Sequence, residues 1–377
     1  EIAQCLVGSE MCIRDRRIGI LTFHNANNYG AVLQAYCLQE TLRRIGFDVE
    51  IVDYRNPLIE SRMHPFSFSE FLYHPFLFVF RVLRFFPSYK HRATNFNKFR
   101  TEFLVLSKRY TAINLRTAPY NYFIIGSDQV WNPILTDGPD LVYWGQYCSK
   151  QSEIIGYAIS SGVKELFDSH CFLDVSKWLS CFNRIGVREK RLEEFVNKHG
   201  YEATVVLDPT LMANPCILES ITPKRIVEYP YVLVYAVGKN SNLMQIAKKK
   251  AAILNAEIVV VAPCNRSTRN TYEKAKIIDA SVPELLSLIK YAECVVCVSF
   301  HGTALSLVFR KTFISVNGGN IERVSEVLTQ LGLTDRIVSD DNLPENDIDY
   351  DKVTSQLNIL RKKSLSFLLD SLKNDRE

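Results

Sequence analysis

"RIGILTFHNANNYGAVLQAYCLQETLRRIGFDVEIVDY", residues 17–54, contains an apolar strand, a helix and a second strand in that order. Its two ends, "RIGILTF" and "DVEIVDY", have the β-rich apolar composition of buried strands. Between them, apolar residues recur at helical spacing from about residue 30 to residue 45, and Gly46 is the expected C′ residue of that helix. Since such connections are right-handed, the segment predicts a β-α-β unit in a parallel sheet.

The alternation of strands and helices continues along the rest of the chain. Further strands are predicted at 122–126, 153–160, 184–189, 204–210, 231–237, 257–263, 294–300 and 312–317, with helices at 241–254, 283–292 and 302–309. A proline-bearing stretch from about residue 209 to residue 230 separates the two series of strands. We therefore predict an α/β chain of two Rossmann-like domains, 17–215 and 225–345, followed by a C-terminal helix within 350–377.

Composition excludes several classes of protein. The net charge of +4, from 45 basic and 41 acidic residues, is too small for the phosphate contacts of a nucleic-acid-binding protein. The ten cysteines lie mostly singly in apolar runs, and the CxxC of Cys294 and Cys297 belongs to a predicted strand, so we expect core thiols in a reducing compartment and no metal site. No apolar run is long enough for a transmembrane helix. We expect a cytoplasmic protein.

Two segments stand apart from the alternating pattern. Residues 1–16 resemble translated adapter sequence, and we expect them to be a non-native leader. Residues 64–92, "HPFSFSEFLYHPFLFVFRVLRFFPSYKHR", interrupt the first domain with aromatic and basic residues. One interpretation is an interfacial segment that rests on anionic lipid at the inner face of the membrane. The other is a helical insertion buried against its own domain or a partner subunit.

Ligands of parallel sheets bind beyond the carboxyl ends of the strands, so polar residues directly after strands are the candidate site. In "FHNANNYGA" (23–31), Asn28 and Gly30 precede a helix whose first amides could bind an anion; a plain turn with a capping Asn27 or Asn28 is the alternative. In "GSDQVWNP" (126–133), Ser127, Asp128 and Trp131 could contact a sugar. Alternatively, Ser127 or Asp128 caps a helix and Trp131 is core.

Two later loops complete the candidate site. Arg188 ends a predicted strand in "GVREKRLEEF", where its planar guanidinium suits a phosphate or carboxylate; an ion pair with a nearby acid is the ordinary alternative. In "VSFHGTALSLVFRKTFISVN" (298–317), His301 leaves a strand just before Gly302 and Thr303 open a predicted helix. This position allows the imidazole to face a ligand held by helix amides.

These stretches resemble the polysaccharide pyruvyl transferase family, through "NYGAVLQAY", "GSDQVWN", "GVREK", "LDPT" and "SFHGTALSLVF" in that order. The resemblance extends from Arg17 to about Val338. It implies two domains that face each other across a cleft, as in GT-B glycosyltransferases. It also implies transfer of the pyruvyl group of phosphoenolpyruvate to two sugar hydroxyls, forming a ketal. The acceptor would be a glycan or lipid-linked oligosaccharide, and phosphoenolpyruvate would be a co-substrate rather than a cofactor.

The resemblance assigns roles to the candidate residues. His301 matches the family's proposed catalytic histidine, and Arg188 matches an arginine proposed to hold the donor. With these we group Asp128 as the second catalytic residue, and the expected donor and acceptor contacts are Ser299, Gly302, Thr303, Asn28 and Gly30 for the donor, and Trp131 and Ser127 for the acceptor. Family members often have arginine where this chain has Ser299. That departure is the main sequence argument for the alternative of a non-catalytic glycan-binding or assembly protein. A GT-B-like glycosyltransferase that uses a nucleotide sugar is the other alternative.

Overall fold

A computed structural model of the 377-residue chain describes residues 16–63, 75–163, 172–235, 241–263, 272, 275–317, 321–339, 343–344 and 346–373. The chain forms two compact units. The first combines the chain up to Met63 with Arg100–Ala213 and the chain from Leu360 onward. The second combines His64–Phe99 with Asn214–Ile359. The expected leader, 1–16, lies outside the described residues except for Arg16.

The first unit is built on a parallel sheet that has seven strands in the described part of the chain, in the order β3-β2-β1-β4-β5-β6-β7. These strands are β1 (Arg17–Leu21), β2 (Asp48–Tyr54), β3 (Leu106–Tyr110), β4 (Tyr122–Gly126), β5 (Glu153–Ile159), β6 (Arg184–Val187) and β7 (Thr204–Val205). Strand β1 pairs with β2 on one side and with β4 on the other, so the strand order reverses there. Crevices at such reversals are the usual ligand sites of parallel sheets.

Helices connect the strands of the first unit. They are α1 (Tyr29–Ile45), α2 (Pro57–Arg62), α4 (Ala112–Leu115), α5 (Pro133–Thr136), α6 (Phe172–Leu179), α7 (Lys190–Lys198) and α8 (Pro209–Met212), while α3 (Pro75–Phe103) and α14 (Tyr350–Ser371) contribute residues to both units. Helix α1 ends where predicted, because Gly46 adopts φ 114° and its amide bonds back to the last turn. A left-handed residue of this kind is the usual end of a helix.

The second unit has a parallel sheet whose described strands follow the order β10-β9-β8-β11-β12-β13. The strands are β8 (Tyr231–Tyr235), β9 (Glu257–Val261), β10 (Lys276–Ile278), β11 (Cys294–Cys297), β12 (Phe313–Val316) and β13 (Ile337–Val338), and the helices are α9 (Pro215–Glu219), α10 (Ser241–Leu254), α11 (Val282–Lys290), α12 (Phe300–Val308) and α13 (Ile321–Gln330). The order reverses between β8 and β11. Two parallel sheets with connecting helices confirm the predicted α/β class.

Differences from the sequence predictions concern edges and boundaries. Strands β3, β10 and β13, which lie at sheet edges, were not predicted. Helix α12 begins at Phe300, two residues earlier than predicted, so His301 lies in its first helical turn and not in a loop. The described residues 75–99 group with the second unit, whereas the sequence pattern assigns the insertion to the first.

The described part of the aromatic insertion is helical. Residues from Pro75 onward belong to α3, while 64–74 lie outside the described residues. Several of its apolar side chains are exposed, Phe76 to 91 % and Leu83 to 74 %, so burial against its own domain does not hold for them. Across the described helices, none has a stretch apolar and long enough to cross a bilayer.

Candidate active site

Arg188 belongs to a buried polar network at the carboxyl ends of three strands of the first unit. Its side chain is 2 % exposed, and its Nη1 lies 2.9 Å from Oδ2 of Asp208, whose side chain is fully buried. Nη2 donates to the Ser127 hydroxyl over 3.2 Å, and that hydroxyl donates to the same Asp208 oxygen over 3.2 Å. Asp208 therefore already neutralises the guanidinium predicted to bind a donor, and Ser127 is enclosed in the network and is not presented to an acceptor.

Asp128 is the next residue after Ser127, and it is more exposed than the residues of the network. Gly126, at the end of β4, has φ 119°, and a Cβ there would lie 2.3 Å from the Tyr157 carbonyl oxygen, so only glycine fits. Asp128 itself is half-buried with φ 66°, a left-handed conformation that aspartate tolerates. Its carboxylate makes no hydrogen bond to another described residue. Neither Ser127 nor Asp128 caps a helix, because Asn132 caps the next one. Asp128 remains a candidate for contact with a substrate.

Trp131 is part of the core. It is 1 % exposed, and its ring stacks on that of Trp144 with centroids 4.0 Å apart and planes 3° apart. Its Nε1 donates to the Tyr143 carbonyl over 3.0 Å. One ring face and the polar edge of Trp131 are both occupied. The predicted stacking on an acceptor sugar therefore does not fit its position, and the core alternative does.

Asn28 caps helix α1. Its Oδ1 accepts hydrogen bonds from the amides of Gly30 at 2.9 Å and Ala31 at 3.3 Å. These are the amides that a helix N-terminus would offer to an anion. The cap occupies them, so the capping alternative describes this loop and Gly30 does not present its amide to a donor.

His301 is the candidate residue of the second unit. Like Asn28 in the first unit, it lies near a helix N-terminus that follows a strand. It follows β11, at the strand-order reversal, and lies in the first turn of α12. The residue is 8 % exposed, and its ring meets that of Phe300 edge-to-face at 5.2 Å. In parallel sheets, a strand end followed at once by a helix N-terminus is a usual place for an anionic ligand, so His301 remains the candidate residue of this unit.

Among the residues next to His301, Gly302 and Thr303 are engaged in packing and hydrogen bonding within the protein, while Ser299 has an available hydroxyl. A Cβ on Gly302 would lie 2.8 Å from Cys297 and from Tyr235, so this glycine lets α12 approach the sheet closely. The Thr303 hydroxyl bonds to that of Ser315 at 2.6 Å. Ser299 is the N-cap residue, yet its side chain makes no capping hydrogen bond and is half-buried. Of the three predicted donor contacts in the second unit, Ser299 has the side chain best able to reach a ligand.

The part of the chain that the structure describes contains no metal centre. Within it, no three histidine, cysteine, aspartate or glutamate residues are grouped to hold an ion. Cys294 and Cys297 are buried in β11, and burial raises the pKa of the Cys294 thiol to about 12.

Sequence reasoning missed two groups of polar residues at strand ends. Asp208 lies in the quoted "LDPT" motif, and its place after a strand could have identified it as the partner of Arg188. His24, Asp53 and Arg55 follow or end β1 and β2 and form a second polar cluster. The four candidate loops were selected because polar residues lie directly after strands. This strand-end rule applies equally to Asp208 and to the cluster of His24, Asp53 and Arg55.

Comparisons with solved structures find similar folds at low sequence identity. A putative UDP-N-acetylglucosamine 2-epimerase from Listeria monocytogenes is 10 % identical, with a TM-score of 0.48, 94 % of this chain covered and 89 % of that one. The UDP-GlcNAc 2-epimerase of Methanocaldococcus jannaschii is 12 % identical, with a TM-score of 0.46 and 92 % of each chain covered. The glycosyltransferase SnogD from Streptomyces nogalater is 12 % identical, with a TM-score of 0.42, 93 % of this chain covered and 95 % of that one. Likenesses this distant assign no ligand.

Sequence comparison is more specific. No curated protein matches the chain. The sequence model described as polysaccharide pyruvyl transferase, however, matches residues 28–320, which is most of the chain and includes the strand-end residues of both units. The chain therefore belongs to the polysaccharide pyruvyl transferase family.

Proposed function

We propose that this transferase moves the pyruvyl group of phosphoenolpyruvate onto a sugar of a surface-polysaccharide precursor and forms a ketal. The family match over residues 28–320 carries the proposal. The position of His301 supports it, because the chemistry requires a proton donor beside a bound anion and His301 lies at a helix N-terminus at the carboxyl end of β11.

The proposed reaction balances without a redox partner. His301 gives a proton to the methylene carbon of phosphoenolpyruvate, which becomes a methyl group and leaves a cationic centre at C2. A sugar hydroxyl attacks C2 and loses its proton to a base. Phosphate then departs with the C2–O bond electrons and takes up the first hydroxyl's proton from the base. A second hydroxyl attacks C2, and its proton restores the protonated His301. The products are the cyclic ketal and inorganic phosphate.

We assign the base to Asp128 of the first unit. The Asp128 carboxylate is half-buried and makes no hydrogen bond to another described residue, so it can accept a proton from a hydroxyl. Arg188 has a different role in this proposal. Because its charge is paired with Asp208 inside the network, it holds the ends of β4, β6 and β7 together and thereby positions the loop of Asp128. On the second unit, the Ser299 hydroxyl is the proposed donor contact.

A single assay tests the reaction. The protein is incubated with phosphoenolpyruvate and pooled lipid-linked glycan precursors, and we expect release of phosphate together with acid-labile pyruvate on the sugar. Parallel reactions receive nucleotide sugars in place of phosphoenolpyruvate. Glycosyl transfer from a nucleotide sugar, with no response to phosphoenolpyruvate, would instead identify a glycosyltransferase. Glycan binding without turnover of any donor would indicate a non-catalytic glycan-binding protein.

Helix α3 supports a location for this reaction at the cytoplasmic face of a membrane. Its exposed apolar side chains recur at helical spacing and lie on one face: Phe76 (91 % exposed), Val79 (48 %), Phe80 (59 %), Leu83 (74 %) and Phe86 (43 %). The helix also carries six basic residues, Arg81, Arg84, Lys90, Arg92, Lys98 and Arg100, against one acidic residue, Glu102. Two of the six are engaged within the protein, since Arg100 is buried and Arg92 pairs with Asp279. An apolar face on a basic helix is the pattern of a helix that rests on anionic lipid, where a lipid-linked acceptor would be found.

Replacing the centre of this apolar face should weaken membrane binding. We expect the variant Phe76→Ser/Phe80→Ser/Leu83→Ser to bind vesicles of phosphatidylglycerol and phosphatidylcholine at least about tenfold less than wild type in sedimentation assays, because three large apolar side chains are lost. Ile113→Ser/Ile134→Ser/Ile359→Ser removes three equally exposed apolar side chains elsewhere and should leave binding unchanged. If the α3 variant changes only the oligomeric state, a second copy of the chain covers this face and the lipid proposal is wrong.

A further inference from the structure

Thr22, the first residue after β1, forms a buried link between helix α1 and the loop that carries Asp128. Its hydroxyl lies 3.3 Å from the carbonyl oxygen of Ser127, the residue before Asp128. Nε2 of Gln34, in α1, lies 2.8 Å from the same hydroxyl. Thr22 is 1 % exposed, and Ser127 and Gln34 are fully buried. Water does not compete for these contacts, so each one holds its partner more firmly than a surface hydrogen bond would.

The direction of each hydrogen bond follows from the acceptors around Gln34. Its Nε2 lies 2.8 Å from the carbonyl oxygen of Ala31 as well as from the Thr22 hydroxyl. A carbonyl oxygen can only accept, so the amide nitrogen of Gln34 faces this side and donates to both groups. The Thr22 hydroxyl has a single hydrogen. Because the hydroxyl oxygen accepts from Gln34, that hydrogen is directed to the Ser127 carbonyl.

Stability alone does not account for an amide at position 34. Among the described residues, Oε1 of Gln34 has no hydrogen-bond partner, although the atom is buried. A buried acceptor without a partner reduces stability, and an apolar side chain of similar size would avoid that cost. A glutamine at this place in α1 therefore fits a role in orienting Thr22 better than a role in packing.

The backbone of Asp128 is held on both sides. The peptide group before it contains the Ser127 carbonyl that Thr22 binds, and the Asp128 carbonyl accepts a hydrogen bond from the Ser160 amide at 3.0 Å. The orientations of these two peptide planes determine φ and ψ of Asp128, and so the direction of its side chain. The observed φ of 66° is left-handed, which costs free energy for a residue with a Cβ. The two hydrogen bonds offset that cost.

Thr22 is itself fixed by the polar cluster at the ends of β1 and β2. Its carbonyl oxygen accepts a hydrogen bond from the His24 amide at 2.8 Å, and Nδ1 of the His24 ring lies 3.2 Å from the same oxygen. The other ring nitrogen lies 3.1 Å from Asp53, which binds Arg55 through both carboxylate oxygens at 2.7 and 3.0 Å. The hydroxyl that donates to Ser127 is therefore carried by an anchored segment of backbone.

We infer that Thr22, oriented by Gln34, is a positioning residue for the transfer reaction, because it holds the peptide group that aims the Asp128 carboxylate. The inference rests on the proposed function for the role of Asp128 as the base. Anchoring of the loop does not depend on turnover, so it is measured separately from the reaction.

Amide hydrogen exchange, followed by NMR, measures the anchoring without any substrate. The Ser160 amide is protected by the Asp128 carbonyl, so its exchange rate reports opening of this loop. We expect Thr22→Val, which replaces the hydroxyl by a methyl group of similar size, to speed exchange at Ser160 by about tenfold, as the loss of one buried hydrogen bond implies. The Ile51 amide, which donates to the Val105 carbonyl at 2.8 Å, should exchange as in wild type if the unit stays folded.

Three further variants accompany Thr22→Val. Thr22→Ser keeps the hydroxyl and should recover most of the protection at Ser160. Gln34→Met removes the amide that orients Thr22 and should speed exchange at Ser160 by a smaller factor. Thr41→Val removes another buried threonine hydroxyl of α1, one that has no hydrogen-bond partner among the described residues, and should exchange at Ser160 like wild type.

Steady-state kinetics test the link to Asp128. Thr22→Val should lower kcat for phosphate release from phosphoenolpyruvate by about ten- to a hundredfold, the usual effect of a displaced catalytic group, and should leave KM for phosphoenolpyruvate unchanged. In an Asp128→Asn background the same substitution should have no further effect on kcat, because the group that Thr22 positions is already lost.

Two results would overturn the inference. Exchange at Ser160 that stays at the wild-type rate in Thr22→Val would show that the hydroxyl does not hold the loop. Equal losses of kcat when Thr22→Val is introduced into wild type and into Asp128→Asn would show that Thr22 does not act through Asp128. Faster exchange at Ser160 in a protein that never releases phosphate from phosphoenolpyruvate would retain the anchoring of Asp128 and reject the proposed reaction.

Discussion

His301→Ala should lower the turnover number for phosphate release from phosphoenolpyruvate by about 10²–10⁴-fold. The expected loss corresponds to removal of a positioned general acid, because protonation of the methylene carbon creates the cationic C2 that the first hydroxyl attacks, and phosphate departs only after that attack. The position supports this role, since His301 is in the first turn of α12 directly after β11. Steady-state rates at saturating phosphoenolpyruvate measure the effect.

Burial of His301 makes a fold control necessary. The residue is 8 % exposed and packs edge-to-face on Phe300, so the alanine variant also loses packing. His301→Gln retains most of the volume and should be equally inactive, with a thermal unfolding midpoint close to wild type. His91→Ala, which removes an exposed histidine of the same unit, should keep full activity. Wild-type turnover in His301→Gln would exclude the imidazole as the acid.

The fold was predictable where strands are buried on both faces. Strands such as β4 and β11 are buried at every position and therefore appear in the sequence as short continuous apolar runs. Edge strands have no such signature. Strand β3, "LSKRY", has partly or fully exposed residues at four of its five positions, so pairing with β2 and not hydrophobic pattern determines it.

The candidate site was predictable in location but not in side-chain contacts. The strand-end rule selected Arg188, Asp128 and His301, and each does follow a strand of a parallel sheet. The rule says nothing about which side chains find partners inside the protein. Arg188 pairs with Asp208, which is distant from it in sequence, and Trp131 stacks on Trp144. Such pairings depend on loops converging in three dimensions, and no local spacing encodes them.

Asp208→Ala should destabilise the first unit by about 3–5 kcal/mol, the cost of leaving a buried charge without its partner. The pair is deeply enclosed, with Arg188 2 % and Asp208 0 % exposed, so water cannot solvate the guanidinium once the carboxylate is gone. Urea unfolding measures the change. Asp370→Ala removes one partner of the Asp370–Lys373 pair, whose side chains are 48 % and 68 % exposed, and should cost no more than about 1 kcal/mol.

Two further variants separate charge from hydrogen bonding in this network. Asp208 also accepts a hydrogen bond from the Thr210 amide at 2.9 Å and thereby caps α8, and Asp208→Asn keeps an oxygen for that cap while removing the charge. If the unpaired charge of Arg188 is the main cost, Asp208→Asn should lose most of the stability that Asp208→Ala loses. Arg188→Met in the Asp208→Asn background should then recover much of it, because the unpaired charge of Arg188 is gone. A single Asp208→Asn variant as stable as wild type would contradict this account and reduce Asp208 to a helix cap.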